Sequence, residues 1–136
     1  MIGLLPQACS PAGPIGSGAR VYAVDLSGGA KVCDVPKVTP IAGQTLATEI
    51  KLGNDGGWCG LTVWQPGPKP FDAGLLLMRP AHGNVVIHEV GDDTRIDYTP
   101  EHGFSGSDKF AVKLIPGNAI INIAVMVKAP TQNPKV

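Results

Sequence analysis

The sequence predicts an all-β domain folded as a two-sheet sandwich, and three observations predict it. Apolar and polar residues alternate at period two through several short runs. The 18 Gly and 13 Pro are scattered between those runs, which is the punctuation of many short strands and turns. No segment combines a helical period with a capping residue at its start.

A chain of 136 residues fits one domain with terminal extensions and is long enough to bury a core. Residues 1–19, MIGLLPQACSPAGPIGSGA, lack periodicity and are expected to form an extended tether. Residues 20–128 are assigned to the sandwich, and 129–136, APTQNPKV, to a tail.

About nine strands are expected between the extensions. Val21–Leu26 and Ala30–Cys33 flank Ser27-Gly28-Gly29, a hairpin signal. Leu46, Thr48, Ile50 and Leu52 alternate with Ala47, Glu49 and Lys51, and Leu61–Gln65 is a shorter strand. Leu75–Arg79 and Asn84–Val90 follow, with Gly91-Asp92-Asp93 turning the chain into Thr94–Tyr98. In that strand Ile96 and Tyr98 should face the core while Arg95 and Asp97 face solvent. Phe110, Val112 and Leu114 oppose Lys109 and Lys113 in the next strand. Pro116-Gly117-Asn118 then turns into Ile120–Lys128, where Ile121, Ile123, Val125 and Val127 share the core face.

Charge narrows the functional classes. Eleven basic residues balance 11 acidic ones, and only 16% of residues are charged. No run of Lys and Arg marks a nucleic-acid or anionic-lipid site, so neither partner is expected. No stretch is apolar enough to span a membrane as a helix.

From Pro80 to Val127 the chain carries Pro80-x-x-Gly83, Tyr98-x-Pro100 and Phe104-x-Gly106-x-Asp108-x-Phe110, in that order. This pattern resembles the bacterial Ig-like, cadherin-like modules of large surface and secreted proteins. The resemblance covers about the last third of the chain and implies an immunoglobulin-like antiparallel β-sandwich serving as spacer or adhesive module, not as an enzyme. Tyr98 and Phe110 would fill the core, Pro100 would end a strand, Gly106 would permit a tight corner and Asp108 would bond amides there. Such modules recur in tandem, whereas this sequence has no internal repeat.

The cysteines are Cys9, Cys33 and Cys59, with no C-x-x-C among them. Cys33 and Cys59 lie at or beside predicted strands and are expected to form a disulfide pinning the first hairpin to the following sheet; two buried thiols are the alternative. Cys9 is a free or intermolecular thiol, or a lipidation site. The run Leu4-Leu5-Pro6-Gln7-Ala8-Cys9 resembles the end of a lipoprotein signal, without a basic start and too short for a complete one. These features favour an extracytoplasmic location in an oxidising compartment: periplasm, cell surface or secreted.

Candidate sites are few. His82, His88 and His102 lack a third-ligand pattern, and Asp92, Asp93 and Asp97 do not form a D-x-D-x-D-G loop, so no metal or other cofactor is expected. Gly13–Gly18 lacks the strand, helix and Lys of a phosphate loop, and no helix follows to activate Ser105. Trp58 and Trp64 flank Cys59. One is expected to pack on the disulfide in the core, and the other to offer an aromatic platform beside the stiff Pro66–Phe71 loop, with Phe71 as part of one wall. Ile120, Ala124 and Met126 make the solvent face of the last strand more apolar than a free surface requires. The expected function is a non-catalytic structural or protein-interaction module, self-assembling or partnered on a cell or virion surface. The alternative is a carbohydrate-binding module using Trp58 or Trp64.

Overall fold

The computed structural model describes residues 27–130. These form eight strands: β1 Cys33–Asp34, β2 Thr45–Gly53, β3 Cys59–Val63, β4 Ala73–Met78, β5 Gly83–Val90, β6 Asp93–Pro100, β7 Gly106–Ile115 and β8 Ala119–Lys128. One sheet has five strands in the order β1-β2-β8-β7-β4, the other three in the order β3-β6-β5. The all-β, two-sheet, sandwich-like architecture is therefore present. The tether, the Val21–Leu26 strand, Cys9 and residues 131–136 lie outside the described residues.

The period-two pattern decides which side chains meet between the sheets. Ile50 and Leu52 on β2, Ile121, Ile123, Val125 and Val127 on β8, and Phe110, Val112 and Leu114 on β7 point inward from the large sheet. Leu61 and Val63 on β3 and Ile96 and Tyr98 on β6 oppose them. Removing each such side chain from water contributes roughly 1.5–3 kcal/mol before chain entropy is subtracted. Tyr98 and Phe110 stack across the core with ring centroids 5.8 Å apart, so the two sheets meet through their largest side chains.

Three expectations need correction. The sandwich is not purely antiparallel, because β2 runs parallel to β8 over its whole length, from Thr45↔Ile120 to Gly53↔Lys128. Between β2 and β8 the chain passes through β3 to β7, the long connection that parallel neighbours require. The expected Ala30–Cys33 strand is reduced to Cys33–Asp34, which pairs with Leu52 and Lys51. Its predecessors Gly28–Ala30 add to the free edge of the small sheet instead: Trp58 N–H donates to Gly28 O (3.2 Å) and Ala30 N–H to Trp58 O (2.8 Å). Finally, the outer face of β6 is not solvated, since Arg95 and Asp97 are buried.

The Cys33–Cys59 disulfide is present. It links β1, an edge of the large sheet, to β3, an edge of the small one. One side of the sandwich is thereby stapled covalently. On the other side, β4 and β5 are the two remaining edge strands.

Candidate functional site

The motif residues of the last third converge at one end of the sandwich, around Asp108. Its Oδ1 accepts the amides of Ala81 and Lys109, both at 2.9 Å. Its Oδ2 accepts the His82 amide at 2.9 Å and the Tyr98 hydroxyl at 2.8 Å. A single carboxylate thus ties the β4–β5 turn to β6 and β7. Burial alone would raise the Asp108 carboxyl, but the Lys109 amide, the Tyr98 hydroxyl and the Ala81 and His82 amides outweigh it and hold it below the usual carboxylate range. Burial, then the bond to Asp108, pushes the Tyr98 phenol above its ordinary value. Gly83 is required by the same packing, because a Cβ there would lie 2.5 Å from the Tyr98 ring.

The neighbouring 101–104 turn is held by Asn54, which sequence reading passed over. Its Nδ2 donates to Glu101 O at 2.8 Å and Phe104 O at 2.9 Å, tying the end of β2 to the turn before β7. Phe104 stacks on His82 with centroids 4.4 Å apart. Gly106 adopts φ 129°, a backbone state that glycine reaches without strain.

A second polar cluster covers the small sheet. Arg95 and Asp97 are buried on the outer face of β6, where Arg95 Nε donates to Asp97 Oδ1 at 2.7 Å. His88 Nε2 on β5 lies 2.7 Å from Asp97 Oδ2. The Trp58 ring lies 3.8 Å from the Arg95 guanidinium carbon, in cation–π geometry. Its Nε1 donates to Ser27 O at 2.8 Å. Trp58 therefore packs outside the small sheet over an ion pair, not on the disulfide in the core as one Trp was expected to do. Alternation explains this: Cys59, Leu61 and Val63 take the inward positions of β3, leaving residue 58 outward.

Gly60 makes room for the pair. A Cβ there would collide with Asp97 Oδ1 and lie 2.9 Å from the Cγ and Cδ of Arg95. Gly60→Val is accordingly expected to cost about 2–3 kcal/mol by displacing a buried pair that loses its hydrogen bonds. A urea unfolding curve checks this, and an unchanged midpoint would contradict the packing described.

The second tryptophan is placed differently. Trp64 is 42% exposed and borders a cleft of about 200 Å³ at the opposite end of the sandwich from Asp108. Pro40, Pro66, Phe71 and Pro116 line it with Trp64. Phe71 is buried as the cleft floor, and its amide donates to Thr94 Oγ1 at 2.9 Å. Gln65 Nε2 is fixed on Pro70 O at 2.8 Å.

The remaining candidates do not assemble. Asp97 belongs to the Arg95–His88 cluster, while Asp92 and Asp93 lie at the β5–β6 turn. There burial, then the charge of Asp92, raises the Asp93 carboxyl. His82 faces Phe104 and His88 faces Asp97. Among the described residues no three His, Cys, Asp or Glu side chains come together as a metal site. On β8, Met126 is 39% exposed, Ala124 is exposed and Ile120 half-buried, all on the outer face of the large sheet.

The fold and its polar clusters define an all-β, disulfide-stapled sandwich. No family model matches the chain, and no curated protein matches it.

Proposed function

We propose that this chain is a non-catalytic, extracytoplasmic module of the Ig-like, cadherin-like kind that works by associating with another protein or with copies of itself. The carrying observation is β4. It is an edge strand of the large sheet, reads Ala-Gly-Leu-Leu-Leu-Met without a charge, and leaves Leu75 48%, Leu77 49% and Met78 39% exposed. An apolar edge with unpaired amides is a template for another strand, and free-standing proteins usually blunt such edges with charges. The Cys33–Cys59 bond supports an oxidising compartment, and the gathering of the motif residues on Asp108 gives the family-like pattern a structural meaning.

Light scattering on Leu77→Lys and Met126→Lys tests the reading. The wild-type chain should show a mass above the monomer. Leu77→Lys should bring it down to one chain, because a charge at the edge opposes strand pairing. Loss of assembly in Met126→Lys alone would transfer the contact to the β8 face, and a wild-type monomer that captures no protein partner would refute the proposal. A second reading, glycan binding, is favoured by one observation only, the exposed Trp64 ring at the mouth of its proline-walled cleft.

A further inference from the structure

The chain carries no net charge, yet folding sorts its charges. On the outer face of the large sheet the register places Lys51, Lys109, Lys113 and Lys128 beside Met126, Ala124, Ile120 and Gly53. Asp34 and Glu49 are the carboxylates on that face, Asp34 opposite Lys51 and Glu49 opposite Ala124. Positive charge therefore collects toward β7 and the end of β4, where the nearest exposed carboxylate, Glu101, lies 3.9 Å from His82 Nδ1.

Two clefts meet there. One, of about 360 Å³, is lined by Met78, Arg79, His82, Ser107, Asp108 and Lys109. The other, of about 330 Å³, shares Met78 and Lys109 and continues over Asn122 and Ala124 to Ala47. Among the described residues neither Arg79 nor Lys109 has a carboxylate partner. Asp108 keeps its negative charge while accepting hydrogen bonds from the Ala81, His82 and Lys109 amides and the Tyr98 hydroxyl, so among the charged lining residues Arg79 and Lys109 outnumber one buried carboxylate. Glu49 lies two strands from Lys109 across Ala124, roughly 10 Å at ordinary strand spacing and close to a Debye length in physiological salt.

We propose that this continuous groove binds an acidic oligosaccharide, with Arg79 and Lys109 receiving a uronate or sulfate group. The rest of the ligand lies along the small-residue floor of Ala47 and Ala124, with the Asn122 amide and the Ser107 hydroxyl able to donate and accept at the sugar hydroxyls. Charge complementarity selects the anion, because two exposed cations without a carboxylate partner flank one cleft whose single lining carboxylate, Asp108, is buried and held by its own hydrogen bonds. The neutral, amide-bearing extension selects a ligand whose charge is confined to part of a polar body. A nucleic acid instead carries a charge at every step and would need cations along the entire groove.

The test is an amide-resolved NMR titration of the full chain with oligogalacturonate, a neutral cello-oligosaccharide of equal length, sodium sulfate and a short single-stranded DNA. Oligogalacturonate should shift the amides of residues 107–109 and 122–124 and leave those around Trp64 in place. Arg79→Ala and Lys109→Ala should each weaken it roughly tenfold, as expected for the loss of one charge-assisted contact. Both side chains are exposed, so the variants should keep the wild-type spectrum elsewhere. The proposal falls if the neutral sugar binds equally well, if sulfate alone matches the oligosaccharide, if the DNA binds as tightly, or if either variant retains full affinity. Shifts confined to Trp64 would overturn it in favour of the other cleft. Oligomeric mass is measured separately, so failure here leaves the assembly proposal to its own test.

Discussion

Asp108→Ala is expected to destabilise the fold by about 4 kcal/mol at neutral pH, the largest effect of any single substitution considered. The carboxylate is 9% exposed and accepts three backbone amides and a buried phenol. Its removal leaves donors from three elements without their protein acceptor. Asp108→Asn separates charge from shape, since the amide keeps one acceptor oxygen and turns the other into a donor facing other donors. The pH dependence follows from the direction of the shift. The Asp108 carboxyl is held below its ordinary value in the folded chain, so its contribution is fully present above the unfolded value of about 3.9. It is lost as pH falls through the lower folded value. The stability gap between wild type and Asp108→Asn should therefore be constant from neutral pH down to about 5 and shrink below about 4. Urea midpoints measured across that range check it, and a gap that widens in acid would contradict the assigned direction.

Reduction of Cys33–Cys59 should have the next largest effect. The bond closes a loop of sequence separation 26, for which the chain-entropy model gives about 3.5 kcal/mol. The loss is also topological. The disulfide joins the edge strands of both sheets, and β1 itself pairs with β2 through only Cys33↔Leu52 and Asp34↔Lys51. The double variant Cys33→Ala/Cys59→Ala avoids leaving a polar hydroxyl at Cys59, which is fully buried. Its urea midpoint should match that of the reduced wild type and lie well below that of the oxidised protein. Equal midpoints with and without reductant would show that packing alone holds β1 in place.

The second half of the domain was legible in the sequence because each strand there carries its own alternation. Ile121, Ile123, Val125 and Val127 face the core of β8 as their spacing predicts, and the Cys33–Cys59 pairing followed from both residues lying on strands. Alternation fixes a face but not a partner. That is why the parallel β2–β8 pairing could not be read locally: it joins strands that β3 to β7 separate along the chain. The burial of Arg95 and Asp97 escaped for a related reason. Opposite charges two apart on one strand signal a pair, but the cover comes from Trp58 on a different strand and needs the gap at Gly60. Asn54 shows the same limit. A lone Asn after a strand reads as a turn residue, whereas here its amide reaches carbonyls about fifty residues away. The groove at Arg79 and Lys109 was invisible because the cations on β7 and after β4 are dispersed along the chain and gathered only by the sheet.

Hydrogen exchange of the β4 amides at low and high protein concentration probes association through the open edge of β4. Amides between Ala73 and Met78 not engaged with β7 should exchange freely when dilute and become protected as concentration rises, with Leu77→Lys abolishing the change. Exchange at β4 that is independent of concentration, while other surfaces gain protection or none does, would contradict it.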